Sequence, residues 1–357
     1  MDESSDQRLD AVYATRVKSS RVFILGAGFS ASAGVPLTNK LLAQAMSMFS
    51  VECPGLYERI SGYTAECFEL GDADDVDYEK VDFSELCTFL EYIELREFGG
   101  GERWKDTGSR EKLALRFYLS KTISEVCPDV GSIPELYSRF ARNLNENDVV
   151  ISFNWDPLLE RALIEVGKTF TYNFQDPKGI KLCKLHGSVN WRLGELRTQL
   201  QLPASFSWES LKFTEGMMNV EMYHSPELIH SESWSQCRPL GEVEPFLVLP
   251  GYGKGFDVRA NAVLWYKPEF AFSFTHDVYI IGLSLAPDDF FVRSLFLSNL
   301  PFIDRYSGVE GRHIHIINPA SDAAQNYEFV LSKGNATLHN ENFSMQHVEL
   351  MERCADA

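Results

Sequence analysis

Basic residues are scarce in this chain. Its 357 residues include 33 Lys and Arg against 51 Asp and Glu, a net charge of −18, and a surface that holds nucleic-acid phosphates needs clustered Lys and Arg. Direct contact with nucleic acid is therefore not expected. Cysteine is sparse and poorly spaced for bonding. Cys53, Cys67, Cys87, Cys127, Cys183, Cys237 and Cys354 are odd in number and never form C-x-x-C, which speaks against a disulfide framework or a structural zinc ribbon. No run of about eighteen apolar residues is present, and the polar start, MDESSDQRLDAVYATRVKSS, has no apolar signal core. These absences predict a cytoplasmic protein with reduced thiols and no membrane partner. With 45% hydrophobic residues the chain can fill a sizeable core. At this length a large domain with a module, or two domains, is expected, since single cores stop growing near about 250–300 residues.

What is present alternates between strand-like and helix-like patterns. Arg21 to Leu25, RVFIL, reads as a buried strand stopped by Gly26-Ala27-Gly28, and PLTNKLLAQAMSMF from Pro36 has helical spacing with proline in the first turn. Residues 50–147 carry apolar residues at helical spacing in DFSELCTFLEYIELREF, KLALRFYLSKTISEV and IPELYSRFARNL, and read as an inserted helical module. The acidic stretch GDADDVDYE at 71–79 lacks the order of a calcium loop and reads as a solvated loop. Alternation resumes at Asp148 with the strand VVISF, the helix DPLLERALIEVG and the strands FTYNF and IKLCKL. Beyond a weakly periodic excursion at 194–242 come EPFLVLP, the helix ANAVLWYKPEFAFSF, the strand DVYIIG, the helix DDFFVRSLFLSNL, the strand HIHIIN and a short β-like tail, FVLS and ATLHN. The pattern predicts an α/β fold with a doubly wound, mostly parallel, Rossmann-like sheet. Its expected parts are residues 1–49 and 148–340, with the helical module at 50–147 and a tail at 341–357.

Chemistry-bearing residues gather where predicted strands end. Gly26, Ala27, Gly28 and Ser30 fit the dinucleotide pattern G-x-G-x-x-G/A between strand and helix, where glycines admit a pyrophosphate close to backbone N–H groups. Glycine also serves packing turns, and the acidic residue expected about 20 residues later is missing, Glu52 being a poor candidate. Three more strands end in polar or glycine-bearing turns, at Ser152-Phe153-Asn154-Trp155-Asp156, His186-Gly187-Ser188 and Gly282-Leu283-Ser284-Leu285. In a parallel sheet such ends converge on one cleft. Asn154 and Asp156 also suit a turn and helix cap before Pro157, and His186 suits a satisfied strand end. His313 and His315 alternate on one strand without a partner at metal-ligand spacing, and Lys254 in PGYGKG lacks the phosphate-loop pattern, so a glycine-rich loop over the cleft is the better reading there.

Taken together, GAGFSASAGVP at 26–36, SFNWD at 152–156, LHGS at 185–188, PGYGK at 250–254, IGLSLAPDD at 281–289 and IINPA at 316–320 resemble, in order, the motifs of the sirtuin-like NAD-consuming proteins. The resemblance spans roughly residues 21 to 320. It implies that Gly26, Ala27, Gly28 and Ser30 embrace the pyrophosphate of NAD+. It further implies that Asn154 holds the nicotinamide ribose, Asp156 meets the carboxamide and His186 acts as base. Gly282 and Ser284 fall in the second phosphate and ribose loop, and Asn318 where a strand-end Asn meets the adenosine ribose.

Deacylating relatives carry two C-x-x-C pairs after the His-Gly. This sequence has SVNWRLG there, and LTNK where a Phe-Arg would follow. The resemblance is therefore to a zinc-free, helix-inserted branch associated with bacterial antiphage defence, with NAD+ as substrate, no zinc, and water as acceptor. Nicotinamide and ADP-ribose, or its cyclic form, would be the products. An ADP-ribosyltransferase, a protein deacylase or a non-catalytic NAD or ADP-ribose sensor remain alternatives. Restraint of such an activity implies a homo-oligomer and a trigger partner, a HerA-like ATPase or an Argonaute-type protein, with the helical module as the surface for it.

Overall fold

The computed structural model describes residues 20–73, 75–95, 109–172, 174, 176–193, 220–222, 245–251, 254, 262–273, 275–287, 289–300 and 313–355. Most of the 194–242 excursion and Cys237 lie outside the described residues. From the start, β1 (Ser20–Leu25) leads into α1 (Ala27–Ala31) and α2 (Thr38–Glu52). The helices α3 (Pro54–Cys67), α4 (Phe83–Leu95), α5 (Ser109–Val126) and α6 (Glu135–Asn143) precede β2 (Val149–Ser152) and α7 (Leu158–Glu165). Then come β3 (Phe170–Thr171), β4 (Ile180–Lys184), β5 (Gly187–Leu193), β6 (Val220–Met222) and β7 (Pro245–Leu247). The last part holds α8 (Ala262–Trp265), α9 (Lys267–Ser273), β8 (Thr275–Ile281), α10 (Phe290–Asn299) and β9 (His313–Ile317). It closes with α11 (Ala323–Asn326), α12 (Glu328–Leu331), β10 (Ala336–His339) and α13 (Met345–Ala355).

Seven strands form one sheet in the order β10-β9-β8-β1-β2-β4-β3, and every described pairing in it is parallel. From β1 the chain works outward to β2 and β4, then returns to the other side of β1 to lay down β8, β9 and β10. This is the doubly wound arrangement expected from the alternation. Phe23 and Ile24 point to opposite faces and are both fully buried, so both faces of the sheet are covered, which is why its strands read as unbroken apolar runs. On one face Phe23 stacks on Tyr279 at 5.2 Å and meets Phe140 of α6 edge-on at 5.3 Å.

A second core belongs to the helices. Leu41, Leu42, Met46 and Phe49 of α2 pack with Ile60 of α3, Leu86 and Leu90 of α4 and Leu115, Tyr118 and Leu119 of α5. Val189 of β5 and Leu247 of β7 join this cluster. These strands belong to a small antiparallel sheet, β6-β5-β7. The sequence pattern placed EPFLVLP in the main alternation. Its strand instead pairs with β5 beside the helical core. At Gly187 (φ 78°) the chain leaves the main sheet for this smaller one, and a Cβ there would lie 2.1 Å from the carbonyl oxygen of Phe246.

Three other expectations change in detail. ANAVLWYKPEFAFSF is two short helices because Pro268 cannot bond to the carbonyl of Leu264. That carbonyl accepts the thiol of Cys183 at 3.2 Å instead. FTYNF pairs only at Phe170–Thr171. FVLS is part of α12 rather than a strand, a run too short for periodicity to separate strand from helix.

Opposite the strand ends that carry the motifs, a buried ion pair fastens the sheet. The guanidinium of Arg21 donates to Asp148 Oδ1 at 3.1 Å and Oδ2 at 2.6 Å, to Asn143 and to the carbonyl of Met351. It thereby joins β1, the turn before β2, α6 and α13. Asp148→Ala leaves a buried, uncompensated guanidinium and is expected to destabilise the fold by about 3–5 kcal/mol, read as a lowered denaturant midpoint. An unchanged midpoint would show that the pair is dispensable.

Candidate functional site

Register brings the motifs together. Ile317 of β9 pairs with Ile281 of β8, Ile281 with Leu25 of β1, Leu25 with Ser152 of β2, and Ser152 with Lys184 of β4. Five strands therefore end on one row. The next residues continue the ladder through Gly282 N–H to Ile317 O, Gly26 N–H to Ile281 O, Phe153 N–H to Leu25 O and Leu185 N–H to Ser152 O, all at 2.9 Å. Asn318, Gly282, Gly26, Asn154 and His186 lie one or two residues past this row. The order reverses at β1, flanked by β8 and β2, which is where open α/β sheets bind ligands.

The glycine turn is first of all a contact between two backbones. Gly28 N–H donates to Gly282 O at 2.8 Å. A Cβ on Gly26 would fall 2.5 Å from Leu283 Cα, one on Gly28 2.8 Å from Gly282 Cα, and one on Gly282 2.2 Å from Phe29 N. The three glycines let the loops after β1 and β8 touch. Ala27 between them is exposed, and the first N–H groups of a helix have no partner within it. Ser284 is exposed as well, while Asn318 is buried. Asn318 Nδ2 donates to Leu283 O at 2.8 Å and its Oδ1 accepts Ala320 N–H at 2.9 Å, so both ends of its amide hold loops. Tyr327 adds a second bond to Leu283 O at 2.9 Å.

Ser30 is fully buried, and its hydroxyl bridges the two polar residues after β2. It donates to Asp156 Oδ1 at 3.0 Å and accepts from Asn154 Nδ2 at 3.2 Å. Asp156 Oδ1 also accepts Leu158 N–H at 3.1 Å, so it holds the turn into α7, whose cap position itself is Pro157 rather than Asp156. Burial pushes its carboxyl above the usual range, opposed by the nearby ammonium of Lys184. Lys184 Nζ donates to Asp156 O at 2.7 Å and to Glu160 at 2.8 Å. From Glu160 the network runs through the Tyr172 hydroxyl to Asn190 and Ser188, and back to the carbonyl of Trp155. Asn154 and Asp156 are thus held from α1, β4 and β5 at once.

His186 follows β4 with its ring edge-on to Phe153 at 5.0 Å and 6.2 Å from Trp265. Its Nε2 is buried without a hydrogen-bond partner and lies 3.9 Å from Asp289 Oδ2. Lys254 Nζ pairs with Asp289 Oδ1 at 2.7 Å. Burial, and then the charge of Lys254, lower the His186 pKa to about 3 against the pull of Asp289. The ring is therefore neutral at pH 7, well below the value near 6.5 of an exposed histidine.

Sequence reasoning did not assign Asp289, Lys184 or Glu160 to the site, and it set Lys254 aside. Signals existed. Lys184 is a charge closing a parallel strand directly before the LHGS motif, and Asp289 stands before a helix, whose Val292 N–H it caps at 3.1 Å. Away from the cleft, ligand-type atoms of His339, Glu341 and His347 lie within 4.8 Å of one another. His347 Nδ1, however, accepts Ser344 N–H at 3.1 Å, which leaves the proton on Nε2 and suits a helix cap better than a metal donor.

The solved structures it resembles include Sir2 proteins. A Sir2 homologue in complex with NAD is 15% identical over 97% of this chain and 92% of its own, with a TM-score of 0.38. A Sir2 homologue mutant in complex with ADP-ribose is 16% identical over 99% and 96%, with a TM-score of 0.39. Sir2Tm bound to a propionylated peptide is 15% identical over 98% and 97%, with a TM-score of 0.36. No family model matches the chain, and no curated protein sequence does. No helix among the described residues is long and apolar enough to cross a membrane.

The glycine contact makes a quantitative prediction. Gly282→Ala adds a Cβ at φ 64° where the backbone of Phe29 already stands, whereas Gly34→Ala, at φ 91°, meets nothing within 4 Å. The first is expected to lose about 3 kcal/mol of stability and the second about 1 kcal/mol, measured by denaturant unfolding. Equal losses would remove the contact from the account.

Proposed function

We propose that the chain is an NAD+ glycohydrolase that cleaves the bond between nicotinamide and ribose. The carrying observation is that Asn154 and His186 each stand two residues past the paired ends of β2 and β4, beside the glycine contact of β1 and β8. Supporting it is the sequence resemblance already described, whose motifs fall on the row of strand ends.

Each residue has a part in this reading. Ala27 offers the pyrophosphate exposed backbone at a helix start, with Gly28 held against Gly282 beside it, and Ser284 and Asn318 edge the far side of the cleft toward the adenosine. Ser30, whose hydroxyl is engaged, acts through Asn154 and Asp156. The Asn154 amide nitrogen is taken by Ser30, and its amide oxygen is the group that accepts a hydrogen bond from the ribose or from water. Asp156 Oδ1 carries the described hydrogen bonds of that carboxyl, and Oδ2 receives the carboxamide NH2. Nicotinamide departs as a neutral base when its C–N bond breaks, so positioning and stabilisation of an oxocarbenium-like centre matter more than acid catalysis. Water then forms the new bond to ribose C1′ and gives up a proton, for which His186, neutral and unpartnered, is the acceptor. The sum is NAD+ and water giving nicotinamide, ADP-ribose and a proton.

NAD+ depletion fits an effector of antiphage defence restrained until triggered. A homo-oligomer, with a HerA-like ATPase or an Argonaute-type protein as partner, is the proposed means. Nicotinamide release from NAD+ is the test, on protein alone and with a candidate partner. Asn154→Ala and His186→Ala are each expected to reduce it by about 100-fold or more. Release that persists undiminished in both variants would refute the site.

A further inference from the structure

We propose that Lys254 and Asp289 form a charge pair that adjusts, on top of burial, the proton affinity of His186, with Asp289 as the carboxylate facing the ring and Lys254 as the cation that cancels it. This rests on reading His186 as the proton acceptor of the cleft. Both members are positioning residues, since neither is asked to touch the reacting atoms.

The geometry is asymmetric in a telling way. Asp289 is fixed, because its Oδ1 accepts both Val292 N–H at 3.1 Å and the Lys254 ammonium at 2.7 Å. Its other oxygen is turned to His186, with 3.9 Å between Oδ2 and Nε2. Lys254 is only 4% exposed, a costly placement for an ammonium unless it is paired. The aromatic rings that pack on His186, those of Phe153 and Trp265, bring no charge to it. Among the described residues, Lys254 and Asp289 are the two charged groups that act on His186.

In the familiar triad a buried carboxylate holds the imidazole and stabilises its cation. A bare Asp289 would do the same here, and the ring would carry a proton over much of the acidic range. With Lys254 across it, the carboxylate keeps its place while most of its field is spent on the ammonium. His186 then retains a free lone pair and accepts a proton only when chemistry supplies one. The pair also links the loop at Pro250–Gly251 and Lys254 to the cap of α10, two segments that meet over the strand ends.

The test is a ring-nitrogen NMR titration of His186 in the full-length protein, accompanied by the pH profile of nicotinamide release. Lys254→Met is expected to raise the titration midpoint by about 1–3 pH units and to move the acid limb of the profile upward with it. Lys254→Gln gives the same rise should Lys254→Met fail to fold. Lys254→Arg, which keeps the charge, should titrate as the parent does. Lys254→Met combined with Asp289→Asn should lose the rise, because the carboxylate that would charge the ring is gone. A purely structural role for Lys254 predicts lowered stability with no ordered movement of the midpoint. An unmoved midpoint in both uncharged variants, or a rise that survives in the double variant, overturns the proposal. If the midpoints move as expected but no form releases nicotinamide, the pair stands and the glycohydrolase reading falls. If release is present and the midpoints do not move, the pair alone falls.

Discussion

Parallel pairing in register is the constraint on which the rest of this molecule depends. Because Ile317, Ile281, Leu25, Ser152 and Lys184 share one row, five chain segments far apart in sequence must turn away from the sheet at one level. What those turns contain then becomes one surface. The backbone contact among Gly26, Gly28 and Gly282 brings the turns on the two sides of the winding reversal together, and side chains larger than hydrogen would hold them apart. At the opposite end Arg21 and Asp148 anchor the same central strands. The central strands are thus fastened at both ends, by the ion pair at the start of β1 and β2 and by the glycine contact among the polar turns at their finish.

Beneath those turns the structure favours fixed geometry. Ser30, Asn154, Asp156, Lys184, Glu160, Tyr172, Asn190 and Ser188 form a connected, buried polar network. Satisfied networks of this kind rigidify their members, because each lost bond leaves a desolvated group behind. The network also ties the main sheet to the small one through β5, whose Val189 packs in the helical core. A change in how the helices sit therefore has a physical route to Asn154. The net charge of −18 gains meaning here. Lys184 and Lys254, beside the strand ends, are buried and paired, so on the proposed reading an anionic dinucleotide would be met by local backbone dipoles rather than by a positive surface.

Much of this was legible in the sequence, for identifiable reasons. Strands covered on both faces leave unbroken apolar runs, and RVFIL, VVISF and HIHII announced the sheet. The position of the glycine turn, Asn154, Asp156 and His186 at strand ends was legible because they closely follow RVFIL, VVISF and IKLCKL. Register was not, since no local pattern states which strand neighbours which, and only register explains why Gly282 must be glycine. The small sheet was missed because β6 and β7 have only 3 residues each and β6 lies within the aperiodic 194–242 stretch. Asp289 and Lys254 were missed as site residues because an N-cap and a glycine-rich loop each account for them locally, while their shared neighbour, His186, is far away in sequence. The lowered proton affinity of His186 was not legible either, because a sequence does not report burial.

The central claim is that the aligned strand ends form a site for one NAD+ molecule. Calorimetric titration of NAD+ into the His186→Ala protein tests it most directly, because binding is then read without turnover. The account predicts saturable binding of one NAD+ per chain. A folded His186→Ala protein that binds neither NAD+ nor ADP-ribose saturably would contradict it.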